Sequence, residues 1–112
     1  MADQEYYSEI DAESFGDLLY QIRRESGESM SLFASQLGIS RSHLNDIEKG
    51  NKPVSAKKAS EYAKLLSYEE EEFVRLAIQD MLDRNDILFS VELAKKRKST
   101  LGKLFGNLLR VG

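Results

Sequence analysis

Residues 29–53, SMSLFASQLGISRSHLNDIEKGNKP, gather the side chains of this chain best suited to binding an anionic, hydrogen-bonding surface. Arg41 offers a planar guanidinium, which pairs bidentately with guanine O6 and N7 or clamps a phosphate. Ser29, Ser31, Ser40, Ser42, Asn45 and Asn51 add short neutral donors and acceptors, and Lys52 adds a compact ammonium. Catalytic chemistry is not indicated. His43 is the single histidine and cysteine is absent, so no multi-histidine or thiolate metal site is expected. The sequence holds no glycine-rich phosphate loop and no nucleophile elbow. Glu69–Glu72 read as the solvated start of a helix rather than a general acid and base. The chain is therefore not expected to be an enzyme, and no cofactor is expected.

Two short helices must carry the groups of residues 29–53. Ser29 is a good N-cap, and Phe33, Ala34 and Leu37 fall on one face of the helix after it. Gly38 stands where a left-handed residue ends such a helix. Ser40 caps the next, whose narrow apolar face is Leu44 and Ile47; Gly50 closes it and Pro53 prevents its continuation. Two capped helices separated by a tight glycine turn describe a helix-turn-helix, an arrangement that sets its second helix in a DNA major groove.

The flanking sequence supplies the support. Phe15, Leu18, Leu19 and Ile22 recur at helical spacing, so a first helix is expected over about Ser14–Ser26, broken by Gly27. A fourth helix follows Ser55, with Ala59, Tyr62, Ala63 and Leu66 on one face. A fifth starts near Ser67, with Glu69–Glu72 at the positive end of its dipole, and runs through Phe73, Val74, Ala77, Ile78, Met81 and Leu82. Beyond it the period changes. Ile87, Phe89, Val91 and Leu93 alternate with Leu88, Ser90 and Glu92, a strand pattern, although a continued helix also fits Ile87, Leu88 and Val91. A lone strand cannot satisfy its own backbone, so pairing with a second copy through Ile87, Phe89, Val91 and Leu93 is the expectation. Leu101, Leu104, Phe105, Leu108 and Leu109 outline a short amphipathic helix.

With 112 residues the chain is long enough for one domain, burying roughly two-thirds of its unfolded surface. The division expected is an acidic arm over 1–13, a helix-turn-helix domain over 14–82, and a strand with a basic tail over 83–112. No apolar run is long enough to span a membrane, and the acidic start is not a secretory signal. Together with the lack of cysteine this fits the cytoplasm. The net charge of −3 conceals strong segregation. Residues 1–13 hold five acids and no base, residues 67–94 hold eight acids against Arg75 and Arg84, and residues 95–112 hold six bases and no acid. Residues 14–66 are only mildly basic, so affinity per monomer should be modest and dimerisation important.

The pattern Ser29-x-x-x-Phe33-Ala34-x-x-x-Gly38-Ile39-Ser40-x-x-x-Leu44-x-x-Ile47-Glu48-x-Gly50 resembles the Cro/repressor (XRE-type) helix-turn-helix family. The likeness extends back through Arg23 to Phe15 and forward to Leu66. It implies a mainly α, five-helix, lambda-repressor-like domain in a bacterial, phage or plasmid setting. By residue-for-residue match it places Arg41, Ser42, Asn45 and Asp46 at the base edges. Asp46 equally suits a local pair with Lys49. Phosphate contacts fall to Ser29, Ser31 and Ser40 at the helix starts and to Asn51 and Lys52 in the following loop. Arg23 and Glu48 match a structural ion pair between the first and third helices. Two positions depart from the family: Met30 stands where a phosphate-touching glutamine commonly follows the cap, and Glu28 where an apolar residue usually precedes it.

The function these readings imply is sequence-specific transcriptional regulation, as a repressor, by a nucleoid-associated homodimer on an inverted-repeat operator in double-stranded DNA. The alternative is a protein-interaction module or antitoxin-like partner that keeps the fold and binds DNA weakly. The basic run Lys95-Lys96-Arg97-Lys98 suits a DNA arm, an acidic protein partner or a solvated linker.

Overall fold

The computed structural model describes residues 11–96, and over these the chain forms five helices: α1 Phe15–Ser26, α2 Met30–Leu37, α3 Arg41–Glu48, α4 Ala56–Leu66 and α5 Glu70–Arg84. Four of them start at a serine whose hydroxyl accepts a backbone N–H of the first turn. Ser14 takes that of Asp17, Ser29 that of Leu32, Ser40 that of His43 and Ser55 that of Lys58. Each such cap satisfies a donor that the helix itself cannot, and is worth about 1 kcal/mol.

One core receives all five apolar faces. Phe15, Leu19, Phe33, Leu44, Ile47 and Phe73 are almost wholly buried, and no charged side chain lies among the buried residues described. Phe15 packs edge-on to Phe73, with ring centroids 5.6 Å apart and planes at 86°, a favoured aromatic geometry. The most extensive helix pairing is α4 with α5, and α3 is held between α1 and α2. Leu76, omitted from the apolar face expected of α5, is 2% exposed, whereas Met81, included in it, is half exposed.

The helix ends explain where the expectations slip. Gly38, at φ 73°, closes α2 with its own N–H on Ser35 O and the Ile39 N–H on Ala34 O. That is the paired closure of a left-handed C-terminal residue. Ser67 does the same for α4 at φ 59°, with the Tyr68 N–H on Ala63 O. Ser67 therefore finishes α4 instead of opening α5, which begins three residues later than expected, at Glu70. Asp86, at φ 57°, closes α5, the Ile87 N–H returning to Leu82 O. The reading of 87–93 as a continued helix is thereby overturned. These residues form no helix and no paired strand within the described chain. The expected amphipathic helix at Leu101–Leu109, and the arm and tail beyond 11–96, lie outside the described residues.

Candidate nucleic-acid interface

Leu44 and Ile47 turn into the core, at 0% and 2% exposure, so helical periodicity forces the residues between and before them outward. Arg41 and Ser42 are exposed at the start of α3, while His43, Asn45 and Asp46 are half-buried along its flanks. No ion pair joins Asp46 to Lys49; instead the Asp46 carbonyl accepts the Asn51 N–H at 2.9 Å. Asn51 and Lys52 are both exposed in the loop that this bond shapes.

The serine caps keep capacity for a phosphate. The hydroxyls of Ser29 and Ser40 each accept one backbone N–H, at 3.1 and 3.0 Å, which leaves their own protons free to donate. With the Leu32 N–H on Ser29 Oγ and the Phe33 N–H on Ser29 O, the Met30 and Ser31 N–H groups remain without an acceptor inside α2. Ser31 is exposed beside them. Met30 packs half-buried against the core, in place of the apolar residue missing at position 28. Glu28 instead lies half-buried before the cap, where Gln36 Nε2 donates to its Oε2 at 3.1 Å and its Oε1 is buried without a partner.

Several contacts fix the placement of α3. Arg23 Nε donates to Glu48 Oε2 at 2.9 Å and its NH2 group to Oε1 at 3.0 Å, joining α1 to α3 in a bidentate fork. The Glu48 side chain is 5% exposed and that of Arg23 17%. The hydrogen bond to Glu48 raises the Arg23 pKa above its ordinary value, against the opposing effect of burial. Tyr20 lies under both Arg23 and Arg24, each guanidinium 5.7 Å from the ring centroid, and accepts a hydrogen bond from Arg24 at 3.0 Å. An open cleft of about 460 Å³ runs between α1 and α3, lined by Tyr20, Arg23, Met30, Asn45, Glu48 and Lys49.

Three positioning residues escaped the sequence reading. Gly16 packs directly on the last turn of α3: a Cβ built there would stand 2.2 Å from the Ile47 carbonyl oxygen. Its signal was an isolated glycine inside a helical pattern, which marks a close backbone approach. Arg84, at the end of α5, donates to the Gly50 carbonyl at 3.1 Å and so holds the loop after α3. Asp80, one turn earlier, accepts the Phe15 N–H at 3.0 Å and fixes the start of α1. Neither of these two carries a sequence signature.

Ile87, Phe89, Val91 and Leu93 follow α5 in the chain; Ile87 and Phe89 are exposed, and Val91 and Leu93 are half-buried. Among the described residues no helix is long and apolar enough to cross a membrane.

A comparison with protein families matches residues 19–73 to the model described as Helix-turn-helix. Searches of curated proteins and of solved structures gave no significant match. The matched span begins in α1, contains α2, α3 and α4 whole, and ends in the first turn of α5. Through residues 19–73 the chain is a member of the Cro/repressor (XRE-type) helix-turn-helix family of DNA-binding regulators.

Proposed function

We propose that the protein is a sequence-specific transcription regulator that binds an inverted-repeat operator as a homodimer and represses by occluding a promoter. The observation that carries this reading is the exposure of Arg41 and Ser42 on a helix whose other face is locked into the core. In this reading α3 enters the major groove. Arg41 reads guanine, Ser42 and Asn45 add hydrogen bonds, and Asp46 accepts from cytosine N4. Ser29, Ser31, Ser40, Asn51 and Lys52 grip the phosphates on either side and set the register. Two copies then reach half-sites about 34 Å apart.

One observation favours the second reading, a protein-interaction module with weak DNA affinity. Glu28, next in sequence to the α2 cap Ser29, keeps its carboxylate on Gln36 of α2, and a negative charge held there opposes an approaching phosphate. Selection of bound duplexes from a random library at about 0.15 M salt, near physiological ionic strength, separates the two. An enriched inverted repeat supports the regulator. A folded protein that enriches nothing supports the interaction module.

A further inference from the structure

Gln79, on α5, presents its side-chain amide to the backbone on both sides of Ser90. Its Nε2 donates to the Phe89 carbonyl at 2.9 Å, and its Oε1 accepts the Val91 N–H at 2.8 Å. One amide can bridge those two groups when the chain is extended at Ser90, because in a strand they point to the same edge. Gln79 thus takes the place that a neighbouring strand's peptide would hold. Upstream, the Phe89 N–H donates to the Ile87 carbonyl at 3.0 Å, a three-residue turn at Leu88 of the kind found where strands begin. From Ser90 to Leu93 the exposure alternates, with Val91 and Leu93 half-buried and Ser90 and Glu92 exposed. The opposite edge, formed by the N–H and C=O groups of Ser90 and Glu92, has no hydrogen-bond partner among the described residues.

We propose that this open edge pairs antiparallel with the same edge of a second copy, with the two-fold axis passing through Val91. The proposal rests on the homodimer reading and names its interface. Three registers bring the outward-facing groups together. Centring the axis on Glu92 sets two carboxylates directly opposite, which destabilises a sheet. Centring it on Ser90 requires Leu88 to pair with the partner's Glu92, and the turn at Leu88 bends the chain away from an extended path. Centring it on Val91 uses the whole of 89–93. Val91 then faces the partner's Val91, Phe89 faces the partner's Leu93, and Ser90 exchanges both backbone hydrogen bonds with the partner's Glu92.

A second copy is the occupant because this register is self-complementary. Apolar side chains meet apolar ones, and the carboxylate meets a hydroxyl that can donate to it. The surface covered includes Phe89, which is 74% exposed in the single chain. An exposed strand edge flanked by such a side chain is the usual template for pairing with another chain.

The chain contains no cysteine, so single cysteine variants of the full-length protein report contacts without background. Across a non-hydrogen-bonded antiparallel pair the Cα atoms lie about 4.5 Å apart, within the disulfide range of about 4.4–6.8 Å. Under mild oxidation Val91→Cys should cross-link to itself. Ser90→Cys and Glu92→Cys should cross-link to each other when mixed, and poorly alone. In a separate variant, Ser90→Pro removes an N–H from the open edge while remaining compatible with an extended backbone. It should weaken self-association in sedimentation by about tenfold or more and leave the thermal midpoint of the monomer unchanged. Self-cross-linking of Ser90→Cys in preference to Val91→Cys overturns the register. A dimer as tight in Ser90→Pro as in the native chain overturns the pairing and leaves the homodimer reading standing. A native chain that sediments as a monomer throughout overturns both.

Discussion

The α-carbon of Gly16 lies against the Ile47 carbonyl so closely that an added methyl would stand 2.2 Å from the oxygen. The obstacle is backbone, near the end of α3, and cannot swing aside. Gly16→Ala gains about 1 kcal/mol of helix propensity, and overpacking of this kind typically costs about 1–3 kcal/mol, occasionally more. Because the clash is with a main-chain atom, the net expected is a loss of about 1–2 kcal/mol, with weaker DNA binding as α3 shifts. Thermal unfolding followed by circular dichroism checks it. A raised midpoint, the ordinary result of removing a helical glycine, would show that α1 and α3 do not need this approach.

Arg23 and Glu48 predict a loss of binding that is structural in origin. Removing the guanidinium leaves a carboxylate 5% exposed with neither of its charged donors. Breaking a buried pair costs about 3–5 kcal/mol, and the partial exposure of Arg23 puts the expectation for Arg23→Ala near about 3 kcal/mol. For a domain this small that lowers the midpoint by roughly 10–20 °C. Arg23→Met with Glu48→Leu should recover much of the stability, since an apolar pair of similar volume replaces the ions. Equal midpoints for Arg23→Ala and the native protein would be inconsistent with this assignment.

Asp80 gives the fold a pH dependence of unusual sign. Burial raises its carboxyl above the ordinary 3.8, against the hydrogen bond from the Phe15 N–H and the charge of Arg84. The folded state therefore holds this proton more tightly than the unfolded chain does. Its contribution falls as pH rises from 3.8 through the raised folded value, and stays at that lower level above it. Asp80→Asn keeps an oxygen for the Phe15 N–H and has no charge to bury. Its midpoint at pH 7 should equal or exceed that of the native protein, and the difference should shrink as pH falls through the window. Asp80→Ala, which removes the acceptor, should cost about 1–3 kcal/mol. Denaturant melts across pH 3–7 test both; an Asn variant as unstable as the Ala variant would contradict the argument.

Lys52 is exposed in the loop whose backbone is held by Asn51 to Asp46 and by Arg84 to Gly50. A phosphate contact from this ammonium carries no base information. Lys52→Ala should weaken binding to all duplexes alike and reduce the slope of log affinity against log salt by about 1. An unchanged slope in fluorescence anisotropy titrations would remove Lys52 from the interface.

The helix-turn-helix was legible because its grammar is local. Ser29, Gly38, Ser40 and the spacing of Phe33, Ala34, Leu37, Leu44 and Ile47 act within a few residues of one another. Errors arose where a residue did what its type does not advertise. Ser67 adopts a left-handed conformation without glycine and so shifted the start of α5. Leu76 went unassigned although it is buried. The contacts of Gly16, Asp80 and Arg84 cross 31, 65 and 34 residues of chain respectively, and tertiary relations at that separation leave no periodic trace. The segment after α5 held an intermediate position. Its alternation was visible, but its anchoring by Gln79 required the fold.

The reading of DNA by α3 is tested most directly by running the duplex selection in parallel on the native protein and on Arg41→Gln. Loss of a bidentate guanine contact is worth about 1–3 kcal/mol of discrimination at one base pair. The variant should lose its preference at a single symmetry-related position of each half-site and retain the rest of the operator. A variant that keeps the full preference, whether bound equally well or uniformly more weakly, would contradict the placement of Arg41 at a base edge.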